Sequence, residues 1–240
     1  MTTSVNDRRN RCRAATGRHE QATLMRATMR LLSWNLLHGS GAEADDVARL
    51  VKAHKPDVVL MQEVGPRLDT LQALLGGHYA RRQMRNRKHG LAAWSRHTLE
   101  DLETIALPRG TRLDFPVPIF RTIADRVALL IRVNGICFAN VHLDHGQIAN
   151  RRQIRHLVAA RDGIDVIAGD FNALGNTRVP GFEDVGPRTA THIAKGIVPV
   201  RIDRCLTRNM VAIRAEALVR GKSDHRPILV DLELMKVSPT

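Results

Sequence analysis

Polar side chains follow apolar stretches of this chain at six places, each where the stretch would end as a β-strand. They are Asn35, Glu63, His142, Asp170 with Asn172, Asp203, and Asp224 with His225. One polar residue after a strand is ordinary, because polar residues stabilise turns. A set of six rich in carboxylates, amides and imidazoles supplies the oxygen ligands that Mg²⁺ or Mn²⁺ prefers and the groups that transfer protons. The pattern predicts a metal-dependent site that hydrolyses a phosphate ester.

These residues need an α/β framework to bring them together, and the hydrophobic periodicity predicts one. Strands are predicted at residues 29–37, 57–63, 79–84, 91–94, 101–106, 122–133, 136–142, 164–168, 202–206, 211–218 and 227–234. Helices are predicted at residues 43–54 and 147–160, with a further helix that carries Leu68, Leu71 and Leu75. The dipeptide Asn134-Gly135 predicts a two-residue hairpin turn, because both positions tolerate positive φ.

The chain length of 240 residues, with 43% hydrophobic content, predicts one domain around a single substantial core. Residues 1–28 contain six arginines among small and polar residues without periodicity, so we expect a disordered basic N-terminal arm followed by a folded domain at residues 29–240. An alternative is that the true start lies at Met25 or Met29.

The charge balance favours polyanionic partners. Thirty-seven Lys and Arg oppose 24 Asp and Glu, which gives a formal charge of +13 and a field that attracts nucleic acids, phosphorylated metabolites or anionic lipid headgroups. We call Arg81, Arg82, Arg85 and Lys88 the basic cluster and predict that it contacts substrate; a solvated face is the alternative. Aromatic residues make up only 3% of the chain, so stacking platforms for single-stranded bases are scarce.

The three cysteines, Cys12, Cys137 and Cys205, are odd in number and far apart, which excludes a disulfide framework and a zinc ribbon. We expect Cys137 and Cys205 to be buried as small hydrophobic residues. No apolar run is long enough to span a membrane. We therefore expect a soluble, monomeric, cytoplasmic protein without stable membrane insertion.

Several motifs resemble, in order, those of the endonuclease/exonuclease/phosphatase family, which includes deoxyribonuclease I and exonuclease III. They are Trp34-Asn35, Gln62-Glu63, Val141-His142-Leu143, Gly169-Asp170-Phe171-Asn172-Ala173, Ile202-Asp203 and Ser223-Asp224-His225-Arg226-Pro227. The resemblance extends from about Met29 to Leu234. It implies an α/β four-layer sandwich, in which two mixed β-sheets pack face to face with helices outside and the site lies at one end.

The resemblance also implies roles for the metal and the attacking water. Glu63 would be the main carboxylate ligand of Mg²⁺ or Mn²⁺, with Asn35 and Asp224 completing the metal site. Asp170 would orient or deprotonate the water, and Asn172 would donate a hydrogen bond to a phosphate oxygen in the transition state. An alternative for Asn35 is that it only stabilises a turn.

Two histidines would contact the phosphate if the resemblance holds. His225, oriented by Asp203, would exchange protons, and His142, aided by Arg121, would donate from the other side. Alternatives are an ordinary salt bridge for Asp203 and a solvated surface charge for Arg121. In secreted deoxyribonucleases a carboxylate orients the residue corresponding to His142, but the segment expected to supply it, residues 87–90, is basic here.

Three other functions compete with this one. Residues 140–145 resemble a zinc motif of metallo-β-lactamase-fold hydrolases, but Asn140 replaces its first histidine and removes a ligand. A serine hydrolase built on Ser223, Asp224 and His225 fails because neighbours on an extended segment point in alternate directions. A non-catalytic nucleic-acid-binding module is disfavoured because the expected acidic and histidine positions are all filled.

The reaction predicted from the sequence is in-line attack of an activated water on a phosphate ester. A phosphodiester of nucleic acid is the favoured substrate. Phospholipid headgroups, inositol phosphates and other small phosphate esters are the alternatives within the same chemistry.

Overall fold

The computed structural model describes residues 28–111, 125–194 and 196–235. Most of the predicted N-terminal arm, and Arg121, lie outside these residues. Within them, no helix is long and apolar enough to cross a membrane. Cys137 and Cys205 are both buried, as predicted.

Two six-stranded sheets form the body of the fold, and each mixes parallel and antiparallel pairs. The first sheet has the spatial order β13 (Met210–Ala217), β14 (Ile228–Leu234), β1 (Thr28–Asn35), β2 (Val58–Val64), β4 (Gly90–Ser95) and β3 (His78–Gln83). The second has the order β5 (Glu100–Ala106), β6 (Val127–Val133), β7 (Ile136–His142), β8 (Val166–Asp170), β12 (Asp203–Thr207) and β9 (Glu183–Asp184). The parallel pairs are β1 with β2 and β7 with β8.

Three helices cover the outer faces of the sheets. Helices α1 (Ala44–His54) and α2 (Leu71–Leu75), with a 3-10 helix at Pro66–Thr70 between them, pack on the first sheet. Helix α3 (Gln147–Ala160) packs on the second. The layers are therefore helix, sheet, sheet and helix, which confirms the predicted four-layer sandwich.

Strand β2 is continuously apolar from Val58 to Met61 because both of its faces are covered. Val58 and Leu60 face the core between the two sheets, while Val59 and Met61 face the core beneath α1 and α2. Successive side chains of a strand point to opposite faces, so a strand covered on both sides must be apolar throughout.

The predicted hairpin and the long helix are confirmed. Asn134 and Gly135 have φ of 50° and 80° between β6 and β7, the left-handed values that a two-residue turn requires. Helix α3 has the predicted bounds. The predicted helix around Leu71 instead consists of two parts, the 3-10 helix at Pro66–Thr70 and α2. Pro66 lies in the first turn, where proline is tolerated in a helix. The short strands β9, β10 (His192–Ala194) and β11 (Val198–Val200) were not predicted.

A buried amide pair joins the two sheets beneath the rim that carries the polar residues. The side chain of Gln62 donates to Asn140 Oδ1 across 2.8 Å. Asn140 Nδ2 in turn donates to the carbonyl oxygens of Met61 and Ala92, each at 2.9 Å. Asn140 therefore serves packing between the sheets, which argues against the zinc motif considered for residues 140–145.

Candidate active site

One oxygen atom, Oδ2 of Asp170, is the point around which the predicted residues gather. Asn35 Nδ2 donates to it at 3.0 Å. His142 Nε2 lies 3.5 Å from it and His225 Nε2 lies 3.7 Å from it. The first sheet supplies Asn35, the second supplies His142 and Asp170, and the loop before β14 supplies His225. The site therefore forms only when the two sheets pack against each other.

Asp170 is held by the backbone around it. Gly169 has φ of 141°, and a Cβ there would lie 2.0 Å from the carbonyl oxygen of Val141, so only glycine lets β7 and β8 approach this closely. The backbone amide of Asn172, itself at φ 48°, donates to Asp170 Oδ1 at 2.9 Å. Burial raises the pKa of Asp170 to about 6, although the charge of His225 acts in the opposite direction.

His225 is fixed by hydrogen bonds to its ring and to its backbone. Its Nδ1 lies 2.8 Å from Asp203 Oδ2, its backbone amide donates to Ser223 Oγ at 3.1 Å, and its carbonyl accepts from the Trp34 indole at 3.0 Å. Burial would lower the pKa of His225, but the carboxylates of Asp203 and Asp170 outweigh burial and raise this pKa to about 10. The imidazole is therefore positively charged at neutral pH.

Ser223 has a structural role here. Its hydroxyl donates to the carbonyl oxygen of Asn35 at 2.6 Å and accepts from the amide of His225. Both hydrogen bonds position neighbouring site residues, so the geometry agrees with the exclusion of a serine nucleophile.

The pKa of His142 is shifted in the direction opposite to that of His225. It is 1% exposed, and burial, followed by the charge of Arg126, lowers its pKa well below the ordinary value. Its Nδ1 is buried and has no hydrogen-bond partner in the described part of the chain. The ring of His89 lies 6.5 Å from that of His142 between centroids. The site thus contains one neutral and one charged imidazole on the two sides of Asp170.

Glu63 owes its position to a backbone irregularity. It has φ of 57° and lies at a shift in register between β2 and β4, where Gln62 pairs with Leu91 but Val64 pairs with Gly90. A bulge of this kind redirects a side chain away from the regular alternation, and positive φ at a glutamate costs about 1–3 kcal/mol. The carboxylate accepts from the amide of His38 at 3.1 Å.

The donor set around Glu63 suits a hard divalent cation. Its second oxygen lies 3.9 Å from His142 Nε2, beyond hydrogen-bonding distance, and its side chain is 24% exposed toward a cleft of about 270 Å³ that is also lined by His38, Gly65 and Arg67. Mg²⁺ is typically bound by one or two carboxylates together with waters and substrate phosphate. A partly exposed carboxylate beside a buried amide and imidazole meets that requirement.

Asp224 belongs to a group of possible metal ligands. Among the described residues, two groups of three side chains place their ligand atoms within 4.8 Å of one another: Asp170, Asp203 and His225, and His192, Asp224 and His225. Neither group contains Glu63. The structure places Asp224 beside His192, a histidine that was not predicted.

Asn172 directs its side chain inward. Its Nδ2 donates to the carbonyl oxygen of Leu143 at 3.1 Å and lies 3.4 Å from Asp170 Oδ2, while its carbonyl oxygen accepts from Gln147 and Asn150. In this arrangement Asn172 stabilises the loop after β8. Its predicted hydrogen bond to phosphate requires one of these contacts to be exchanged.

Arg126 is a residue that the sequence analysis missed. It lies just before β6, is 6% exposed, and its Nε is buried without a hydrogen-bond partner among the residues that the structure describes. Burial lowers the pKa of Arg126, while the charges of Asp144, Asp170 and Glu63 oppose that shift. A buried guanidinium that faces these carboxylates is suited to receive a phosphate oxygen. The available signal was a basic residue directly before a buried apolar strand.

The basic cluster divides into paired and exposed members. Arg81 donates two hydrogen bonds to Asp69, at 2.8 and 3.0 Å. Arg82, Arg85 and Lys88 are exposed. Gln83, at the carboxyl end of β3, and Val64, at the end of β2, both pair with Gly90 at the start of β4. The turn after β3 therefore lies on the same edge of the sheet as Glu63.

Comparisons with known proteins agree with this architecture. The structure is similar to an endonuclease/exonuclease/phosphatase protein from Bacteroides vulgatus, with TM-score 0.66 and 22% identity over 87% of this chain and 99% of that chain. A family protein from Bacteroides thetaiotaomicron gives TM-score 0.68 and 17% identity over 88% and 99%. Truncated TDP2 from Caenorhabditis elegans gives TM-score 0.61 and 18% identity over 86% and 97%. These likenesses concern the fold.

Sequence comparison supplies the family. Among curated proteins, none matches the chain. The model of the endonuclease/exonuclease/phosphatase family matches residues 32–225, a range that begins in β1 and ends at His225. The chain therefore belongs to the endonuclease/exonuclease/phosphatase family.

Proposed function

We propose that this protein hydrolyses phosphodiesters, and nucleic-acid backbones in particular, with Mg²⁺ or Mn²⁺ as cofactor. The observation that carries the proposal is the arrangement at Asp170, whose Oδ2 lies within 3.0 to 3.7 Å of an amide and two imidazoles. It combines a proton acceptor, a charged donor and a neutral imidazole within one small volume.

Asp170 is the proposed acceptor of the proton of the attacking water. Its pKa of about 6 makes it a stronger base than an ordinary carboxylate, yet it is still ionised at neutral pH. The adjacent amide of Asn35 fixes the orientation of the carboxylate. Asp170 can therefore hold a water in line with the phosphorus and remove its proton as the bond forms.

His225 is the proposed donor to a non-bridging phosphate oxygen. Because its Nδ1 is bound by Asp203, its Nε2 is the nitrogen that faces the site, and its positive charge is matched to the charge that develops on phosphate. Neutral His142 donates from the opposite side, and Arg126 adds a buried positive charge. Together these groups stabilise a pentacoordinate transition state without a covalent enzyme intermediate.

Glu63 and Asn35 are the residues that would hold the metal. When bound, Mg²⁺ or Mn²⁺ neutralises charge on a phosphate oxygen and increases the electrophilicity of phosphorus. The oxygen-rich donor set supports these ions because carboxylate, amide and water ligands suit hard cations.

Nucleic acid is the proposed substrate because of charge. The chain carries a formal charge of +13, and Arg82, Arg85 and Lys88 lie on the same sheet edge as Glu63, where they would contact phosphates flanking the scissile one. Phospholipid headgroups and inositol phosphates offer the same phosphate chemistry with fewer flanking charges. A monomeric state and a cytoplasmic location belong to the same proposal.

The experiment is a product-release assay on DNA, RNA, bis-p-nitrophenyl phosphate, sphingomyelin and inositol phosphates, with Mg²⁺ or Mn²⁺ present. We expect hydrolysis of nucleic acid and of the small diester, and its loss in Asp170→Asn. Asp162→Asn, an exposed aspartate in the turn before β8, is the matched control and should remain active. Tight binding of nucleic acid without turnover would support a binding module instead, and turnover of a lipid or inositol phosphate alone would reassign the substrate.

A further inference from the structure

A second group of possible metal ligands is formed by His192, Asp224 and His225. His192 Nδ1 lies 3.8 Å from Asp224 Oδ2, and His225 Nε2 lies 4.0 Å from Asp224 Oδ1. The two imidazole rings are 4.4 Å apart between centroids. Their ligand atoms lie within 4.8 Å of one another.

Two of these three atoms are buried polar atoms without a partner. His192 Nδ1 and Asp224 Oδ1 are both buried and form no hydrogen bond within the described part of the chain. Buried polar atoms in proteins are nearly always paired, and an unpaired one calls for an explanation such as a bound ion. Here the unpaired nitrogen of His192 lies 3.8 Å from Asp224 Oδ2, and the unpaired oxygen of Asp224, Oδ1, lies 4.0 Å from His225 Nε2.

The third ligand is already oriented as in metal sites. His225 donates from Nδ1 to Asp203 at 2.8 Å, so Nε2 is the nitrogen that would coordinate a metal, and the metal would displace the proton that Nε2 carries at neutral pH. A carboxylate that accepts the other ring N–H of a metal-bound histidine fixes its tautomer and raises its basicity, and it is a regular feature of such sites. Asp203 is in that position without being a ligand itself.

The backbone around His192 fixes its position. His192 forms an isolated bridge to His225, and the amide of Arg226 donates to the carbonyl of Thr191 at 2.7 Å. Thr191 Oγ1 accepts from the amides of Ile202 and Asp203, at 3.2 and 3.1 Å. His192, the ligand that was not predicted, is therefore tied by hydrogen bonds to the segment that supplies Asp224 and His225 and to the segment that supplies Asp203.

We propose that His192, Asp224 and His225 form a binding site for a divalent transition metal such as Zn²⁺ or Co²⁺, separate from the site at Glu63. Two imidazoles and one carboxylate are the ligand set that such ions prefer over Mg²⁺. Two ligands of a tetrahedral ion, each about 2.1 Å from it, are about 3.4 Å apart, so the present distances need only a small contraction. Water completes the shell on the exposed side of Asp224.

Occupancy of this site has a consequence for catalysis, and that consequence rests on the proposed function. The metal takes Nε2 of His225, the nitrogen that lies 3.7 Å from Asp170 Oδ2 and is assigned to the phosphate. A bound transition metal therefore removes a donor from the reaction. We expect Zn²⁺ to inhibit the Mg²⁺-supported hydrolysis through this site.

The test begins with binding and needs no substrate. Metal-free protein is titrated with Co²⁺, and the visible absorption of the bound ion is recorded for wild type, His192→Ala, and His156→Ala, an exposed histidine on α3 that serves as the matched control. We expect wild type and His156→Ala to give the same band with the same stoichiometry. His192→Ala should lose one equivalent or bind it at least about tenfold more weakly, and Asp203→Asn should weaken binding by roughly 10 to 100-fold.

Two further measurements keep the result decisive. Thermal unfolding checks that His192→Ala is folded, and His192→Asn replaces it if the alanine variant is not. Glu63→Gln should keep the Co²⁺ band while losing hydrolysis, which separates the two metal sites. An identical Co²⁺ titration for wild type and the His192 variants overturns the proposal.

The outcomes also separate this site from the proposed function. If wild type hydrolyses no phosphodiester but binds Co²⁺ through His192, the metal site stands and the proposed function fails. If wild type is active, Zn²⁺ inhibition is compared as the ratio of rates with and without Zn²⁺ within each variant. Loss of that inhibition in His192→Ala supports the proposal, and inhibition that is equally strong in His192→Ala contradicts it.

Discussion

The carboxylate of Asp203 and the imidazole of His225 form a buried hydrogen bond of 2.8 Å that joins the two sheets at the rim of the site. Asp203 begins β12 and pairs with Asp170 across the ladder between β8 and β12. His225 comes from the loop that leads into β14 of the other sheet. The imidazole of His225, to which we assign a role in catalysis, and the carboxylate that orients it are therefore supplied by opposite halves of the fold.

This relationship predicts non-additive effects on turnover. His225→Ala should lower the rate by roughly 10² or more, the scale of a lost proton-transfer group. Asp203→Asn should cause much of the same loss because the imidazole would lose its charge and orientation. The double variant should be little slower than His225→Ala, since residues that act as a unit are not additive. Steady-state kinetics with thermal unfolding as a folding control tests this, and full activity of His225→Ala removes its assigned role.

Glu63 gives a test of the proposed metal dependence. Glu63→Gln keeps the size of the side chain and an acceptor for the amide of His38, but it removes the negative charge that would hold Mg²⁺. We expect activity to fall by at least about 10² and the Mg²⁺ concentration for half-maximal rate to rise. Glu43→Gln is the matched control, because Glu43 lines the same cleft but forms an ion pair with Arg67. Equal effects in both variants, or full activity in excess chelator, would contradict the metal assignment.

The division of the basic cluster predicts two different phenotypes. Neutral replacements of Arg82, Arg85 and Lys88 should weaken nucleic-acid binding and flatten its dependence on salt, because each phosphate contact releases counterions. Arg81→Gln should change binding little, since its guanidinium is held by Asp69. Affinities measured over a series of salt concentrations decide this. An unchanged salt slope in the triple variant would identify these residues as a solvated face.

Most of the strands, and the polar residues at their ends, could be predicted from the sequence because both depend on local signals. A strand that is covered on both faces, such as β2, is visible in the sequence as a continuous run of apolar residues. The polar residues at its end are visible where that run stops. The hairpin at Asn134 and Gly135 follows from the φ values that these two residues tolerate. These features require no knowledge of which strands are neighbours.

The remaining features depend on contacts between distant segments. The bulge that directs Glu63 into the site exists only because β2 pairs with β4. The pairing of Arg81 with Asp69 and the placement of Asp224 beside His192 likewise depend on segments distant in sequence. In the sequence Arg126 is one of many arginines, and only the fold shows that its Nε is buried without a hydrogen-bond partner among the described residues. Residue type and order support a prediction of the chemistry, whereas tertiary contacts determine which charges are available.

Asp184, which is not among the proposed site residues, predicts how stability depends on pH. Burial raises its pKa, but hydrogen bonds and charges from Arg201 and Arg204 outweigh burial and lower the pKa below the ordinary value. Arg204 is 2% exposed and lies 2.8 Å from the carboxylate of Asp184. A lowered pKa stabilises the fold above the unfolded-state pKa of about 3.9, and this stabilisation is lost as pH falls through the lower folded-state value.

Asp184→Ala should therefore lower the free energy of unfolding at neutral pH by about 3 kcal/mol, because it leaves a buried guanidinium unpaired. The variant should also lose less stability than wild type between about pH 5 and pH 2. Glu103→Ala, which removes an exposed ion pair with Arg161, is the control and should change stability by less than about 1 kcal/mol. Denaturant unfolding across this pH range makes the comparison. Parallel pH profiles for wild type and Asp184→Ala would contradict the assigned role.

Gly169 links the packing of the second sheet to the position of Asp170. A methyl group at residue 169 would lie 2.0 Å from the carbonyl oxygen of Val141, which is backbone and cannot rotate away. Gly169→Ala must therefore separate β7 from β8 as well as impose an unfavourable φ. We expect a loss of about 3 kcal/mol or more in the free energy of unfolding, and a fall in turnover that persists at temperatures where the variant is folded.

Gly175→Ala isolates the φ contribution, because Gly175 has φ of 68° with nothing within 4 Å of a Cβ, and it should cost only about 1–2 kcal/mol with activity retained. Unfolding and rate measurements on both variants separate the two effects, and a Gly169→Ala protein as stable and active as Gly175→Ala would show that the close approach of these strands does not position Asp170.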